Sequence, residues 1–583
     1  MTLPKLTLLL ALAALPAAAQ SPDTIYFNGD ILTGAHLTAA DASKTPARVT
    51  AIAISADKIT ATGTDAQILA LKSPQTQLVD LNNAFAMPGF NDAHTHLASA
   101  GQQRLTVDLD GATSLADMLA RIHAYAEKAA PGEWILGGGW DHTKWESKTL
   151  PTRQDLDTVT LGHPAFLERT DGHIAIVNTA ALSAADITAR TPDPQGGKFD
   201  HDASGQLTGI IREATAKNLI GVHIPPPSPA MRRQALLLAL ADATSHGVTS
   251  AQDFSDWDDF LVLESLEKEN QLPVRISEWL TFGDPIDTLK AHRDHHDPKD
   301  PLLHTGMLKG FMDGSLGSRT AALAAPYADD PTNSGIPRYD QPTLNKLAAE
   351  RAAAGFQLGF HAIGDRANAM ALTAFEAANG KRPFNPEAQV ERVVPNIRVF
   401  PPSAPLLSQT NRFRIEHAQV LLPADFDRFA RLHIIASMQP VHLITDMNWA
   451  AQRLGPTRTK NAYAWKSFLN HGVTLAFGTD YPVESINPFR GLYTAITRQN
   501  EAGTQTFEPQ EKLTLNEALY AYTQGSAYAE NAEQTKGRLE PGYLADLIIL
   551  DRDITKSTPQ QLLKTRVLRT ILNGTTVYTA PAF

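Results

Sequence analysis

The chain has 583 residues, 43% of them hydrophobic and 19% charged, and carries a net charge of -11. Its length exceeds a typical domain of roughly 100–200 residues, so more than one folded unit is expected. The acidic balance, with no sustained basic block, argues against nucleic acid and for a small-molecule partner. Cysteine is absent, which excludes disulfides, thiol nucleophiles and Cys-ligated zinc.

The first stretch, MTLPKLTLLLALAALPAAAQ, sets one lysine before an apolar run from Leu6 to Leu15 and ends in small residues suited to cleavage before Gln20. The run is shorter than the roughly 20 residues that span a bilayer, so residues 1–19 are expected to be a signal peptide rather than an anchor. No later segment reads as transmembrane. The mature protein is therefore expected outside the cytoplasm, most simply in a bacterial periplasm, with no membrane span; homo-oligomerisation stays open.

TIYFNGDILTG and VTAIAISADKITATG are rich in β-formers and broken by Gly, Asn and Asp, the pattern of short antiparallel strands. The far end, GYLADLIILDRD and RTILNGTTVYTA, repeats that texture, with a hairpin turn predicted at Asn573-Gly574. Two β-rich ends around a long α/β middle predict one small β-sandwich domain built from both. In the middle stand eight short apolar runs, AFAMPGF, VTSAQD, VRISEWL, MLKGFMD, QLGFHAI, FRIEHAQ, IIASMQP and VTLAFGTD, most followed by a helical pattern. Buried parallel strands have this character, and eight β/α units close a TIM-like (β/α)8 barrel. Helices are predicted in PAMRRQALLLALADATSHG and in TLNKLAAERAAAG, the latter stopping at a glycine cap.

The first two runs lie too far apart for one crossover helix, so an insertion is expected over about 101–229, with an amphipathic helix in LADMLARIHAYAEKAA and a Gly/Trp-rich loop, GGGWDHTKW. A Pro-rich stretch, Arg382 to Asn411, reads as a surface excursion. The expected organisation is thus a leader (1–19), a first sandwich part (20–84), the barrel with its insertion (85–540) and a closing sandwich part (541–583).

His94 and His96, two apart, can point the same way if they sit on a strand. An HxH pair alone is as well explained by hydrogen-bonded structural histidines. Position adds weight: Lys309 falls in the fourth run, His361 ends the fifth, His417 the sixth and Asp480 the eighth. All of these can therefore converge on the C-terminal mouth, where such barrels place their chemistry. Other residues admit two readings. Asp313 and Arg319, in DGSLGSRTA, orient substrate or belong to a structural turn. Trp140, Asp141 and Trp145 wall a pocket or pin the insertion down.

In order, PGFNDAHTH, KGFMDGSLGSRTA, HAIGD, RIEHAQ and FGTDYPV, together with GWDHTKW, DGHIAIVNTAAL and GRLEPGYLADLIILD, resemble the amidohydrolase superfamily. The resemblance is to its amidohydrolase-3 branch of YtcJ-like proteins and N-substituted formamide deformylases, and it runs over nearly the whole mature chain. It implies a metal-bearing barrel with a β-sandwich from both chain ends. It also implies that His94, His96 and Asp480 hold one divalent ion, that His361 and His417 hold a second, and that Lys309 bridges the two as an N-carboxylated lysine. Asp480 would double as proton shuttle, and His173 would stabilise the oxyanion. Neutral imidazoles and carboxylates suit zinc, whereas an unmodified lysine, with a pKa of about 10.4, would repel the ions. A one-metal arrangement is the alternative, but deaminase-like members carry an acid three residues after the fifth-strand histidine, and Gly364 stands there here.

The expected function is metal-dependent hydrolysis of a non-peptide C–N bond, in a small-molecule amide, by a metal-activated hydroxide. Lactone, cyclic-amide or phosphoester hydrolysis uses the same chemistry, and a non-catalytic binding protein ranks last.

Overall fold

The computed structural model describes residues 21–37, 44–142, 145–169, 174–194, 197–379 and 412–581. The expected leader, the excursion at Arg382 to Asn411, and His173 lie outside them. At its centre is an eight-stranded sheet of parallel strands in sequential order: β1 (Phe90–Thr95), β2 (Val248–Asp253), β3 (Arg275–Thr281), β4 (Leu303–Phe311), β5 (Leu358–Ala362), β6 (Arg414–His417), β7 (Ile435–Met438) and β8 (Leu475–Phe477). The strands are buried almost throughout because helices cover their outer face, which is why they read as continuous apolar runs rather than as alternating ones.

The sheet closes where the residues after β8 meet β1. The Asp480 amide donates to the His94 carbonyl at 2.7 Å and the His96 amide to the Tyr481 carbonyl at 2.8 Å. Asp92 clamps this seam: Oδ1 accepts the amides of His94 (3.1 Å) and Thr479 (3.0 Å), and Oδ2 accepts the Thr479 hydroxyl (2.6 Å). The approach is so close that a Cβ on Gly478 would stand 2.6 Å from both Asp92 Oδ1 and the His94 nitrogen.

The β-sandwich forms from both ends of the chain. One sheet has the order Lys58–Gly63, Ala51–Ser55, Thr24–Phe27, Gln77–Asp80; the other runs Thr575–Thr579, Val567–Leu572, Leu547–Leu550, Phe85–Pro88, Asp30–Leu32, Arg48–Val49. Ile52, Ile54, Leu547, Ile549 and Ile571 are among the side chains that form a shared core. Asn573 and Gly574, with φ of 53° and 72°, make the predicted tight turn. One expectation moves. The run AFAMPGF is not a barrel strand: Phe85–Pro88 pairs with Leu547–Leu550 in the sandwich, and the barrel begins only at Phe90. The Pro-Gly break lets the chain leave one sheet and enter the next.

Helix Leu97–Leu105 packs against helix Pro229–Ser245 so tightly that a Cβ on Gly101 would fall 1.8 Å from the Ala235 carbonyl oxygen. Ser228 caps the second helix through the Met231 amide, with Pro229 at its first position. Between these helices the insertion folds around its own six-stranded sheet, ordered Lys198–His201, Leu207–Arg212, Ile174–Val177, Ala165–Arg169, Ile135–Trp140, Val107–Asp108. Separate apolar clusters, one around Met118, Ile122 and Leu167 and one around Phe199 and Ile211, back it. The expected Gly/Trp-rich loop is in part the strand Ile135–Trp140. Its glycines are needed because the neighbouring strands crowd it: a Cβ on Gly138 would meet the Glu168 carbonyl oxygen at 2.5 Å.

Gly478→Ala should force the seam apart, cost about 1–3 kcal/mol in unfolding free energy and lower catalysis along with stability. Urea unfolding followed by far-UV circular dichroism measures the first effect.

Candidate metal centre

The side chains of His94, His96, Lys309, His361, His417 and Asp480 gather at the C-terminal ends of β1, β4, β5, β6 and the segment after β8. Ring centroids of His94 lie 5.3 Å from His96 and 5.1 Å from His417, and those of His361 and His417 are 4.5 Å apart. Asp480 Oδ1 stands 3.1 Å from His96 Nε2 and 3.5 Å from His94 Nε2. Lys309 Nζ is 2.8 Å from His94 Nε2.

Each imidazole has one nitrogen committed to a fixed acceptor. His94 Nδ1 faces Glu416 Oε2 at 2.9 Å, His96 Nδ1 the Phe254 carbonyl at 3.0 Å, and His417 Nδ1 the Gln439 side-chain oxygen at 2.8 Å. Those oxygens can only accept, so Nδ1 carries the proton and the Nε2 lone pair is presented to the centre, the arrangement that orients metal-binding histidines. His361 is turned the other way, with Nε2 at 3.1 Å from the Gly314 carbonyl, and would offer Nδ1.

Burial, reinforced by Lys309, pushes His94 down to about 4 and His361 down to about 3; burial holds His417 well below the usual histidine range. The rings are therefore neutral donors at pH 7. Burial also pushes Lys309 down to about 8, although Glu416 and Asp480 pull the other way. Burial would by itself raise the Asp480 carboxyl, but His94, His96, His417 and His442 outweigh it and hold the group well below the usual carboxylate range. His417 and Asp480 have φ of 72° and 60°. Left-handed backbone at two non-glycine residues of one site is strain that the surrounding barrel must hold in place.

Four participants are not among the expected site residues. Glu416 is fully buried between His94 and Arg414, whose Nε reaches Glu416 Oε1 at 2.6 Å. Burial would push Glu416 up, but Arg414, His94 and Lys309 hold it down at about 2, so it is an ionised acceptor. Arg414 also donates to Gln252, to the Ala93 carbonyl and to Ser437. Gln439 orients His417. His442 completes a donor group with His417 and Asp480 in which one ligand atom of each lies within 4.8 Å of the others; a matching group is formed by His94, His96 and Asp480. Among the described residues, His442 Nε2 is buried without a hydrogen-bond partner, 3.7 Å from Asp480 Oδ2. That group sets His442 beside His417, whose ring also lies 4.5 Å from that of His361, the partner the resemblance implied. Glu416 adjoins His417 in RIEH, Gln439 lies within the seventh run and His442 just after it, but neither spacing carries a signal that a sequence reading could single out.

The remaining residues go elsewhere. Trp140 and Trp145 do not wall a pocket: both are buried in the insertion's own core, their indole N–H groups donated to the carbonyls of Leu167 (3.0 Å) and Ala112 (2.9 Å). They pin the insertion to itself. Asp141 pairs with Arg169 at 2.7 Å. Arg319 forms a partly exposed ion pair with Asp329. Asp313 is fully buried, and its carboxylate accepts the amides of Ile363, Gly364 and Ala322 while lying 3.5 Å from His361 Nε2. Burial pushes it up to about 7. Its role is to hold the β5 loop under His361.

The donor set fits divalent metal: buried neutral imidazoles, a shared carboxylate and an unpartnered buried nitrogen, with no thiolate. Comparison with known proteins agrees. The model of the amidohydrolase family matches residues 77–578. YtcJ of Bacillus subtilis (strain 168) is 32% identical over 520 residues, spanning 87% of this chain and 91% of that protein. The N-substituted formamide deformylase of Arthrobacter pascens is 26% identical over 568 residues, spanning 91% and 94%. The crystal structure of an uncharacterized metal-dependent hydrolase from Pyrococcus horikoshii OT3 superposes with a TM-score of 0.74 at 27% identity, covering 92% of this chain and 99% of that one. A barrel with this donor set at its mouth defines a hydrolase of the metal-dependent class. The chain belongs to the amidohydrolase family.

Two outcomes follow from the geometry. Glu416→Gln removes the anion that fixes the His94 tautomer, and chelator competition should show divalent-metal affinity falling about 10–100-fold; unchanged affinity would contradict this role. The second concerns pH. His361 is held neutral in the fold, so below its unfolded pKa of about 6.5 the unfolded chain takes up a proton the native state refuses, and stability falls with pH down to about 3. In metal-free protein, the unfolding free energy of His361→Asn relative to wild type should rise by on the order of 1 kcal/mol for each pH unit lowered through that window, as read from urea midpoints.

Proposed function

We propose that the protein hydrolyses a non-peptide C–N bond in a small amide, an N-acyl or N-formyl amine. The observation that carries this is the shared carboxylate: Asp480 turns Oδ1 to His94 and His96 and Oδ2 to His442, beside His417. His94, His96 and Asp480 would hold one divalent ion, zinc being favoured by imidazole donors; His417, with His361 or His442, would hold a second. Bound there, metal would supply Lewis acidity, polarising a carbonyl and bringing the pKa of water from 15.7 towards about 7.

The chain's own groups do the rest. Asp480, an ionised acceptor at the centre of the donor set, takes the proton of the attacking water on a carboxylate oxygen and hands it to the amine nitrogen as the C–N bond breaks, acting as base and then as acid. Lys309, its amine brought near neutrality by burial, is nucleophilic enough to add to carbon dioxide. The ammonium first loses a proton to free its lone pair; addition then forms an N–C bond and releases a second proton, so a repelling cation becomes a bidentate anion. Glu416 keeps the His94 lone pair aimed inward. The resemblance of the deformylase from Arthrobacter pascens over 94% of its length supports the amide class, and the same site chemistry would serve a lactone or phosphoester.

A deaminase reading is disfavoured by the backbone itself. A Cβ at Gly364 would stand 2.0 Å from the Ala322 carbonyl oxygen, so no acid fits there, and neighbouring Asp365 spends its Oδ1 on the Ala324 amide at 2.7 Å. Metal-loaded protein should hydrolyse members of a panel of N-substituted formamides and N-acyl amines. Asp480→Asn should lower kcat by about 10²–10⁴-fold. Turnover of lactones or phosphotriesters with no amide hydrolysis would overturn the assignment.

A further inference from the structure

We propose that Glu267, His296 and Asp300 form a second binding site for a borderline divalent cation, Zn²⁺ by its chemistry, on the flank of the barrel and separate from its mouth. Glu264 and Glu267 lie in the last turns of helix Trp257–Lys268, and His296 and Asp300 in the connection between helix Ile286–Arg293 and β4. His296 Nε2 stands 3.4 Å from Glu267 Oε2 and 3.7 Å from Asp300 Oδ2, and the three donor atoms lie within 4.8 Å of one another. Donors placed tetrahedrally at the roughly 2.0–2.2 Å of zinc–nitrogen and zinc–oxygen bonds are separated by about 3.3–3.5 Å, close to this spacing.

The simplest rival is a protonated His296 bridging three acids. The geometry speaks against it. His296 Nδ1 faces Glu264 Oε1 at 3.2 Å, where its proton has an acceptor. Nε2 is buried yet makes no hydrogen bond to either flanking carboxylate. A protonated Nε2 would settle its N–H on one oxygen; this nitrogen instead stands at nearly equal distances, 3.4 and 3.7 Å, from Glu267 Oε2 and Asp300 Oδ2, a spacing that a shared ion accounts for. The Nδ1 contact is the carboxylate–imidazole pairing that fixes a metal-binding tautomer.

Asp300 is pre-set as well, since its Oδ1 accepts the Leu302 amide at 2.7 Å and leaves Oδ2 facing the ring. Glu267 gains little from its surroundings: it sits at the negative end of its helix and beside a second carboxylate, an arrangement that a cation offsets. Burial and then Asp300 push its carboxyl up. The neighbouring Lys268 pairs with Glu264, not with the donor pair. The side chains of His296, Glu267 and Asp300 are 12%, 16% and 30% exposed, which leaves an ion a way in and a coordination position for water. Imidazole among the donors disfavours Mg²⁺ and Ca²⁺. An ion here would tie the end of helix Trp257–Lys268 to the segment that leads into β4.

Zinc counting on intact protein tests this. After chelator treatment, reloading with Zn²⁺ and gel filtration, elemental analysis should find one more zinc per chain in wild type than in His296→Gln or Asp300→Asn, with circular dichroism confirming folded variants. In a His94→Ala/Asp480→Asn background, which disables the mouth, Zn²⁺ should still raise Tm and Mg²⁺ should not, and adding His296→Gln should weaken the zinc response at least tenfold in concentration. Equal zinc counts for wild type and both flank variants, or a zinc-dependent Tm that survives His296→Gln, would overturn the site. Failure of the mouth assignment would appear separately, as zinc content unaffected by His94→Ala/Asp480→Asn.

Discussion

The molecule turns on the closure of its barrel at one carboxylate. Asp92 accepts two hydrogen bonds from Thr479 that join the first strand to the residues after the eighth and a third from His94 in its own strand, and the backbone bonds from Asp480 to His94 and from His96 to Tyr481 complete the seam. Residues nearly 400 positions apart thereby become neighbours. Asp92 is fully enclosed, and burial pushes its carboxyl up to about 7, so the clamp is costly in solvation and is sustained only because its oxygens are so fully occupied. If the seam opened, His94 and His96 would lose Asp480 as a neighbour.

Beneath the mouth the barrel interior is polar where most barrels are packed with branched aliphatic residues. Arg414, Glu416, Gln252 and Ser437 form a connected buried layer, and its output is a single oriented imidazole, His94. Buried ion pairs of this kind contribute little net stability, because desolvation offsets the attraction. What they secure is geometry. The left-handed backbone at His417 and Asp480 has the same character: conformational energy is spent at the site, and the large apolar core around the helices covers it.

The two additions to the barrel differ in their relation to this site. The sandwich draws on both ends of the chain and joins the barrel directly, through the Arg275 guanidinium paired with Asp546 and the step from Pro88 to Phe90. The insertion is a folded unit with its own sheet and its own apolar clusters. Its tryptophans serve that internal core.

Much of the architecture could be read from the chain alone. Periodicity and turn chemistry marked seven of the eight barrel strands, the terminal hairpin and the insertion, because buried parallel strands and Asn-Gly turns have local causes. The first strand was misplaced by the same logic: AFAMPGF is apolar and continuous, but which sheet an apolar run joins is decided by its pairing partners, and Phe85–Pro88 found Leu547–Leu550. At the site, the residues at strand ends were legible because strand ends converge in any closed barrel. Glu416, Gln439 and His442 were not, and neither was the burial of Trp140 and Trp145.

Residue type and order along the chain therefore determined the kinds of donor available, the absence of thiolates and the sequence of strands that delivers them to one rim. Which nitrogen of each histidine faces inward, which imidazole shares Asp480 with His417, and which striking side chains are mere packing were decided only by the tertiary structure. Those properties depend on hydrogen-bond partners and distances between segments hundreds of residues apart, and no local pattern encodes them.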